Sequence, residues 1–297
     1  MATAKDYFKL HFIVFLWGFT AVLGKLITIP SVEMVFYRTL LAAVGMGAVI
    51  IFARGNFKVE RIDLLKLLAT GFIVAIHWIT FFGSGRVSNP STSLVGFATC
   101  SFWAALIEPL AKGKKIQPLE IGLGLIVLFG LYVIFSFGFQ YPMGLFLGIM
   151  SGLTAAIFSV INSKMINRVS ANTITFYEMV GATLGVILFL PIYQQPWGFN
   201  SSLQLIPTSM DWVYISIMAL ACSVYAYSAA INLMKKLSVF FIQLALNLEP
   251  LYGIILALLV FGQQEVMGVN FYVGTAIILS AVASYPLLKK KIGASGI

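Results

Sequence analysis

The chain has 297 residues, of which 60% are apolar and only 10% charged, with a formal net charge of +9. Soluble domains carry roughly 25% charged residues, and a soluble fold of this composition would expose apolar patches beyond what monomers tolerate. That excludes a soluble enzyme. A nucleic-acid binder is excluded too, because the positive charge is parcelled out between apolar runs and not gathered on one face.

Ten apolar runs follow one another, at 9–28, 32–53, 64–85, 90–111, 118–138, 142–164, 171–192, 211–233, 238–262 and 268–288. Each approaches the roughly 20 residues that a membrane-spanning helix needs. Lys5 and Lys9 precede the first run as they would a signal peptide, but no small-x-small cleavage site follows, so it is kept as a span. Turn residues separate the early spans: Pro30-Ser31, Arg54-Gly55-Asn56, Asn89-Pro90 and Tyr141-Pro142. One longer loop, between Ile192 and Asp211, holds Gln194-Gln195-Pro196-Trp197-Gly198 and no basic residue. The two cysteines, Cys100 and Cys222, lie inside spans and read as packing residues. No CxxC or His/Cys cluster points to a metal, and no cofactor is expected.

The spans repeat. Phe36-Tyr37-Arg38 recurs as Phe176-Tyr177-Glu178, with Ala42 and Gly45 matched by Ala182 and Gly185, at an offset of 140. Ser88 matches Ser238 and Gly124 matches Gly274 at an offset of 150, the longer loop absorbing the difference. The expected fold is an all-α polytopic membrane protein of ten transmembrane helices, as two inverted five-helix repeats over residues 1–140 and 141–297. An odd number of spans forces the second copy to enter from the opposite side, as in secondary transporters. Small residues in spans five (Gly122, Gly124, Gly130) and ten (Gly274, Ala276, Ser280) suit close helix approach. These two spans are therefore expected as a matched pair and a candidate dimer face, monomer and homodimer both remaining open.

Charge sets the orientation. With the N-terminus in the cytoplasm, sixteen lysines and arginines lie inside, only Lys25 and Arg86 lie outside, and Arg38 is within a span. That is a strong positive-inside asymmetry, and it places both termini in the cytoplasm.

Ionisable residues within spans are the informative ones, since each costs about 2.5–3.5 kcal/mol at a helix centre. They are Arg38, His77, Glu108, Glu178 and Glu249. Glu249 lies near mid-depth and is followed by Pro250, which frees a backbone carbonyl one turn back. A carboxylate on an irregular mid-membrane helix suits a substrate or ion site, with Tyr252 on the same face. His77 is a second proton-relay candidate because histidine titrates near physiological pH. Arg38 and Glu178 are expected at different depths with structural roles, Arg38 meeting Glu33 or a carbonyl near the outer surface. Glu108 is expected to pair with the Lys112–Lys115 cluster.

Aromatic residues at mid-depth, Trp17, Trp78, Trp103, Tyr225 and Tyr227, suit a cavity for flat or apolar organic molecules. With Ser159, Asn162 and Asn247 they describe an amphipathic pocket, not a channel, which would need polar rings at constrictions.

Three stretches carry a resemblance. They are Phe15-Leu16-Trp17-Gly18-Phe19, Tyr225-Ala226-Tyr227-Ser228-Ala229-Ala230, and Leu248-Glu249-Pro250-Leu251 followed by Glu265. In these the chain resembles the drug/metabolite transporter superfamily, in its ten-helix EamA type. Gly262-Gln263-Gln264-Glu265 keeps the family's acid without its adjacent glycine, and Lys114-Lys115 stands at that place in the first repeat. The resemblance implies a central cavity lined by spans one, three, four, six, eight and nine, with spans five and ten peripheral. It also implies export of small organic metabolites such as amino acids across the inner (plasma) membrane. Sugar phosphates fit poorly, because Arg38 is the single cationic candidate. The expected partners are a small-molecule substrate and the lipid bilayer, with no nucleic acid. The expected site residues are Trp17, His77, Trp103, Ser159, Asn162, Tyr225, Tyr227, Asn247, Glu249 and Tyr252, with Glu249 and His77 as proton-coupling candidates. The alternatives are a membrane enzyme acting on lipid-linked substrates and a non-transporting receptor or scaffold; the enzyme would need paired acids or a nucleophile–base pair, and the acids here are scattered singly.

Overall fold

Backbone amides that cannot reach water must bond within the chain, so long apolar runs become helices. The computed structural model describes residues 2–88, 90–135, 141–193, 203–249, 251–253, 256 and 268–294, and there is no strand among them. In chain order the elements are α1 (Ala4–Leu26), α2 (Ser31–Phe52), α3 (Arg61–Val87), α4 (Pro90–Ala98), α5 (Cys100–Ala111), α6 (Pro118–Phe135), α7 (Pro142–Met165), α8 (Ala171–Tyr193) and α9 (Ser209–Ile217). A π-helix (Met218–Tyr227) continues α9, then come α10 (Ser228–Leu233), α11 (Val239–Leu246) and α12 (Val269–Ala294).

Among the described residues, eight helical stretches are long and apolar enough to cross a membrane. The other two expected spans, the fifth and ninth, begin as α6 and α11 and continue beyond the described residues. Pro250, Gln194–Gly198 and Gly262–Glu265 also lie outside them.

Local chemistry sets several helix starts. Thr208 and Asp211 form a reciprocal capping box at α9: the Asp211 amide donates to Thr208 Oγ1 (3.1 Å) and the Thr208 amide to Asp211 Oδ2 (3.0 Å). Pro142 opens α7, where its missing N–H costs nothing. The start of α11 draws on another helix. Its Val239 and Phe240 amides donate to Glu108 of α5, at 3.1 and 2.8 Å. Glu108 also meets Lys112 at 2.7 Å, as its sequence position suggested.

The helices pair in a definite pattern. α3 lies against α7 and α8, α2 against α8 and the π-helix, and α1 against the π-helix and α11. α4 and α5 lie against α7, α11 against α5, and α6 against α12. Three of these crossings depend on glycine. A Cβ on Gly71 would stand 2.3 Å from Glu178 O, and one on Gly181 2.3 Å from Leu68 O, so α3 and α8 touch backbone to backbone. Gly96 and Gly148 do the same for α4 and α7, with a Cβ at Gly96 only 2.6 Å from Gly148 Cα. Gly130 and Gly274 join α6 to α12, which makes the fifth and tenth expected spans direct neighbours.

Gly71→Ala or Gly181→Ala should therefore force the α3–α8 crossing apart, costing about 1–3 kcal/mol or more. Gly122→Ala, where a Cβ meets nothing within 4 Å, should leave stability within about 0.5 kcal/mol. Thermal unfolding of the detergent-purified variants reads this directly, and equal melting temperatures for all three would refute the close crossing.

Candidate functional site

Where α1, α2, α3, α4, α7, α11 and the π-helix with α10 converge, the helices leave a small, partly open cavity of about 70 Å³. That is room for a few water molecules, so a metabolite would need the helices to part further. Its walls are largely aromatic: Trp17, Trp78, Phe81, Phe82, Phe97, Phe158 and Tyr227. Arg38, His77, Ser159, Asn162, Gln243 and Glu249 add the polar groups.

The π-helix positions much of this. Its i→i+5 bonding loosens the backbone, and such stretches recur at functional sites. The Cys222 carbonyl accepts the Trp17 indole N–H at 2.9 Å, fixing that ring against the cavity. Ser223 Oγ donates back to Met218 O at 3.2 Å, five residues earlier, and accepts from Arg38 Nε at 2.9 Å. The guanidinium carbon of Arg38 then stands 4.0 Å over the Trp78 ring and 5.8 Å from that of Phe82. Arg38 is only 2% exposed, so this cation–π contact stands in for hydration. Glu249 lines the same cavity, and no ion pair joins it to Arg38 among the described residues.

His77 is held by α7: its Nδ1 lies 2.8 Å from Ser151 Oγ and 3.0 Å from Ser151 O. Phe97 and Phe158 flank its ring at 5.5 and 5.4 Å. Gln243 donates to Ser159 Oγ at 2.7 Å, bridging α11 to α7. Asn162 donates to Glu178 Oε2 (3.1 Å) and the Tyr227 hydroxyl (3.3 Å), and that hydroxyl donates to the same carboxylate oxygen at 2.8 Å.

Six of the ten sequence candidates thus share one cavity: Trp17, His77, Ser159, Asn162, Tyr227 and Glu249. The other four do not line it. Tyr225 is two residues from Tyr227, so the helix turns it to the opposite side, where it is exposed and meets Phe12 edge-on. Asn247 bonds Ser101 Oγ at 3.0 Å on α5. Trp103 packs in a small cluster with Ala104, Ala156, Val160 and Val239. Tyr252 leans on Phe15 and fills the space left by Gly18.

Arg38 is a correction. It does not meet Glu33, whose carboxylate accepts from the Gln204 amide at 3.2 Å, but turns into the cavity. A signal was there, since an arginine deep within a span has to be answered by something inside the protein. Gln243 was also missed, although Ile242, Gln243, Leu246 and Glu249 follow helical spacing along one face.

The profile of the EamA-like transporter family matches residues 7–136 and again 142–286. The chain belongs to the EamA-like transporter family. It is 23% identical over 236 residues to an uncharacterized transporter of Bacillus subtilis (strain 168), covering 77% of this chain and 73% of that one. An uncharacterized transporter of Archaeoglobus fulgidus is 24% identical over 236 residues, covering 75% of this chain and 78% of that one. One crystal structure matches with a TM-score of 0.75 at 14% identity over 98% of this chain and 99% of the other, a likeness of fold. Family and apolar helices together make this a multi-pass membrane protein of transporter type.

Two indole substitutions separate the cavity from its surroundings. Trp17→Phe removes a buried hydrogen bond worth about 1 kcal/mol and part of the wall, and should lower transport about tenfold. Trp103→Phe, outside the cavity, should stay within about twofold at equal expression. Counterflow assays in vesicles decide it, and equal losses would mean that the cavity is not the site.

Proposed function

We propose that the chain is a secondary transporter that exports small zwitterionic metabolites, amino acids foremost, by alternating access across the inner (plasma) membrane. One observation carries the reading: Arg38 and Glu249 line one aromatic cavity without pairing with each other. A carboxylate seated on Arg38 and an ammonium on Glu249 would neutralise both, while the aromatic wall takes an apolar side chain. A guanidinium with its Nε already held by Ser223 loses little freedom on binding a carboxylate. A lone sugar phosphate would leave Glu249 facing like charge. In this reading Trp17, His77, Ser159, Asn162 and Tyr227 shape the pocket. Trp103, Asn247 and Tyr252 brace the helices that carry it, and Tyr225 lies on the outer surface.

We further propose ten spans in two inverted repeats, with both termini cytoplasmic and the cavity on the pseudo-twofold axis. Matched bonds support this. The Tyr37 hydroxyl donates to Leu205 O, and its counterpart Tyr177 donates to Phe57 O. Each tyrosine stacks edge-on with the phenylalanine before it, at 5.1 and 5.0 Å. Asp63 and Asp211, both buried in the first turns of α3 and α9, each hold the segment that follows a first-of-repeat helix. Asp211 accepts from the Thr28 amide at 2.7 Å, and Asp63 pairs with Arg168 at 3.2 Å.

Exchange of a labelled amino-acid panel in proteoliposomes tests the reading, with and without a pH gradient. Glu249→Gln and Arg38→Lys should each lower exchange about tenfold or more, the scale of one charge-assisted hydrogen bond. Exchange indifferent to both substitutions would sink it.

A further inference from the structure

Behind the cavity wall lies a second carboxyl group that the substrate contacts above do not use. Glu178 of α8 is fully buried and is not itself part of the lining. Its Oε2 accepts from Tyr227 and Asn162, which do line the cavity and so stand between the carboxyl group and any occupant. Its other oxygen, Oε1, is buried with no hydrogen-bond partner, and so is Asn162 Oδ1. Among the described residues the cluster therefore holds two unsatisfied acceptors when Glu178 is ionised, and buried acceptors left unsatisfied are rare.

A charged neighbour could stabilise an ionised Glu178, but none does so among the described residues. The charged or titratable groups on the elements packed against α8 are Glu33, Tyr37 and Arg38 of α2 and Arg61, Asp63, Lys66, His77 and Arg86 of α3, while α10 has none. The π-helix before α10 adds Cys222, Tyr225 and Tyr227, and α7 adds Lys164. Of these only Tyr227 bonds to Glu178, and no ion pair reaches it among the described residues. Arg38 is committed to Ser223 and Trp78, Asp63 to Lys66 and Arg168, and His77 to Ser151. A lone carboxylate in such a place is costly, and one added proton removes the charge and turns an unsatisfied acceptor oxygen into a hydroxyl.

We propose that Glu178 is the proton-carrying group of the transport cycle, linked to the cavity through Asn162 and Tyr227. The step is simple in balance: a proton adds to the Glu178 carboxylate, giving a neutral carboxylic acid, and leaves by the reverse. Asn162 and Tyr227 border the cavity and hold the Glu178 carboxyl, so an occupant that shifts either one changes how that carboxyl is held, and proton and occupant bias each other by reciprocity of linkage. Where each weakens the other, an inward proton gradient drives export. The assignment moves the proton from Glu249 and His77, which the sequence suggested, to a carboxyl group screened from the substrate. This part rests on the transport reading above, whereas the proton on Glu178 does not.

Infrared spectra of the purified protein test the proton alone. At neutral pH Glu249→Gln, which removes the other buried carboxyl of the cavity, should keep the carbonyl stretch of a buried protonated carboxyl, and the double variant Glu178→Gln/Glu249→Gln should lack it. The glutamine keeps shape and both donors, so it should fold, and thermal unfolding checks that it does. Persistence of the band in the double variant would overturn the proposal. In proteoliposomes with L-leucine as the probe, the ratio of gradient-driven to zero-gradient efflux should exceed about tenfold in wild type and fall to about one in Glu178→Gln. An undiminished ratio in the variant would overturn the link to the cavity. A wild type that moves no leucine would count against the substrate reading, while the infrared band decides the proton on Glu178 independently.

Discussion

Hydrocarbon offers no hydrogen bonds, so each polar group carried into the membrane has to find its answer inside the chain. The helices are assembled around such answers. Glu108 supplies acceptors for two amides at the start of α11. Asp211 takes the Thr28 amide and hydroxyl beyond the end of α1, and Arg86 reaches the carbonyls of Ile27 and Ile29 at 2.8 and 3.0 Å. The turn after α1 is thus gripped by an acid from one helix and a base from another. Against this background of paired groups, the cavity stands out because Arg38 and Glu249 share it with no ion pair between them among the described residues.

Close backbone contact supplies the rigidity that such a cavity requires. Where Gly71 and Gly181 bring α3 and α8 together, no side chain intervenes, and the carbonyls of Leu68 and Glu178 sit in the seam. The carboxyl of Glu178 projects from the same residue that forms the seam, so its position follows from the helix crossing and not from a mobile loop. Tyr227 and Trp78 meet edge-on at 6.4 Å across the middle, which carries ring contacts from one half of the chain to the other.

The membrane-spanning helices were legible in the sequence, because span length depends on local composition. Six of the residues that line the cavity were legible for the same reason, polar or aromatic groups being conspicuous inside apolar runs. What was not legible depended on direction. Tyr225 and Tyr227 look alike in a string of letters, yet one faces outward and one inward. Arg38 was placed near Glu33 by proximity in sequence, but its answer came from Ser223, 185 residues away, on a helix whose winding the sequence does not announce.

That winding has an evolutionary consequence. A π turn holds one residue more than an α turn, so the segment Met218–Tyr227 carries its extra backbone as though an insertion had been absorbed into a helix. Loss of a single residue there would leave a span of nearly the same length and hydropathy. It would also rotate Tyr227, Ala230, Ile231 and Met234 together off the cavity. Substrate preference among relatives could therefore change by indels in this one segment, with every lining residue type retained and composition nearly untouched.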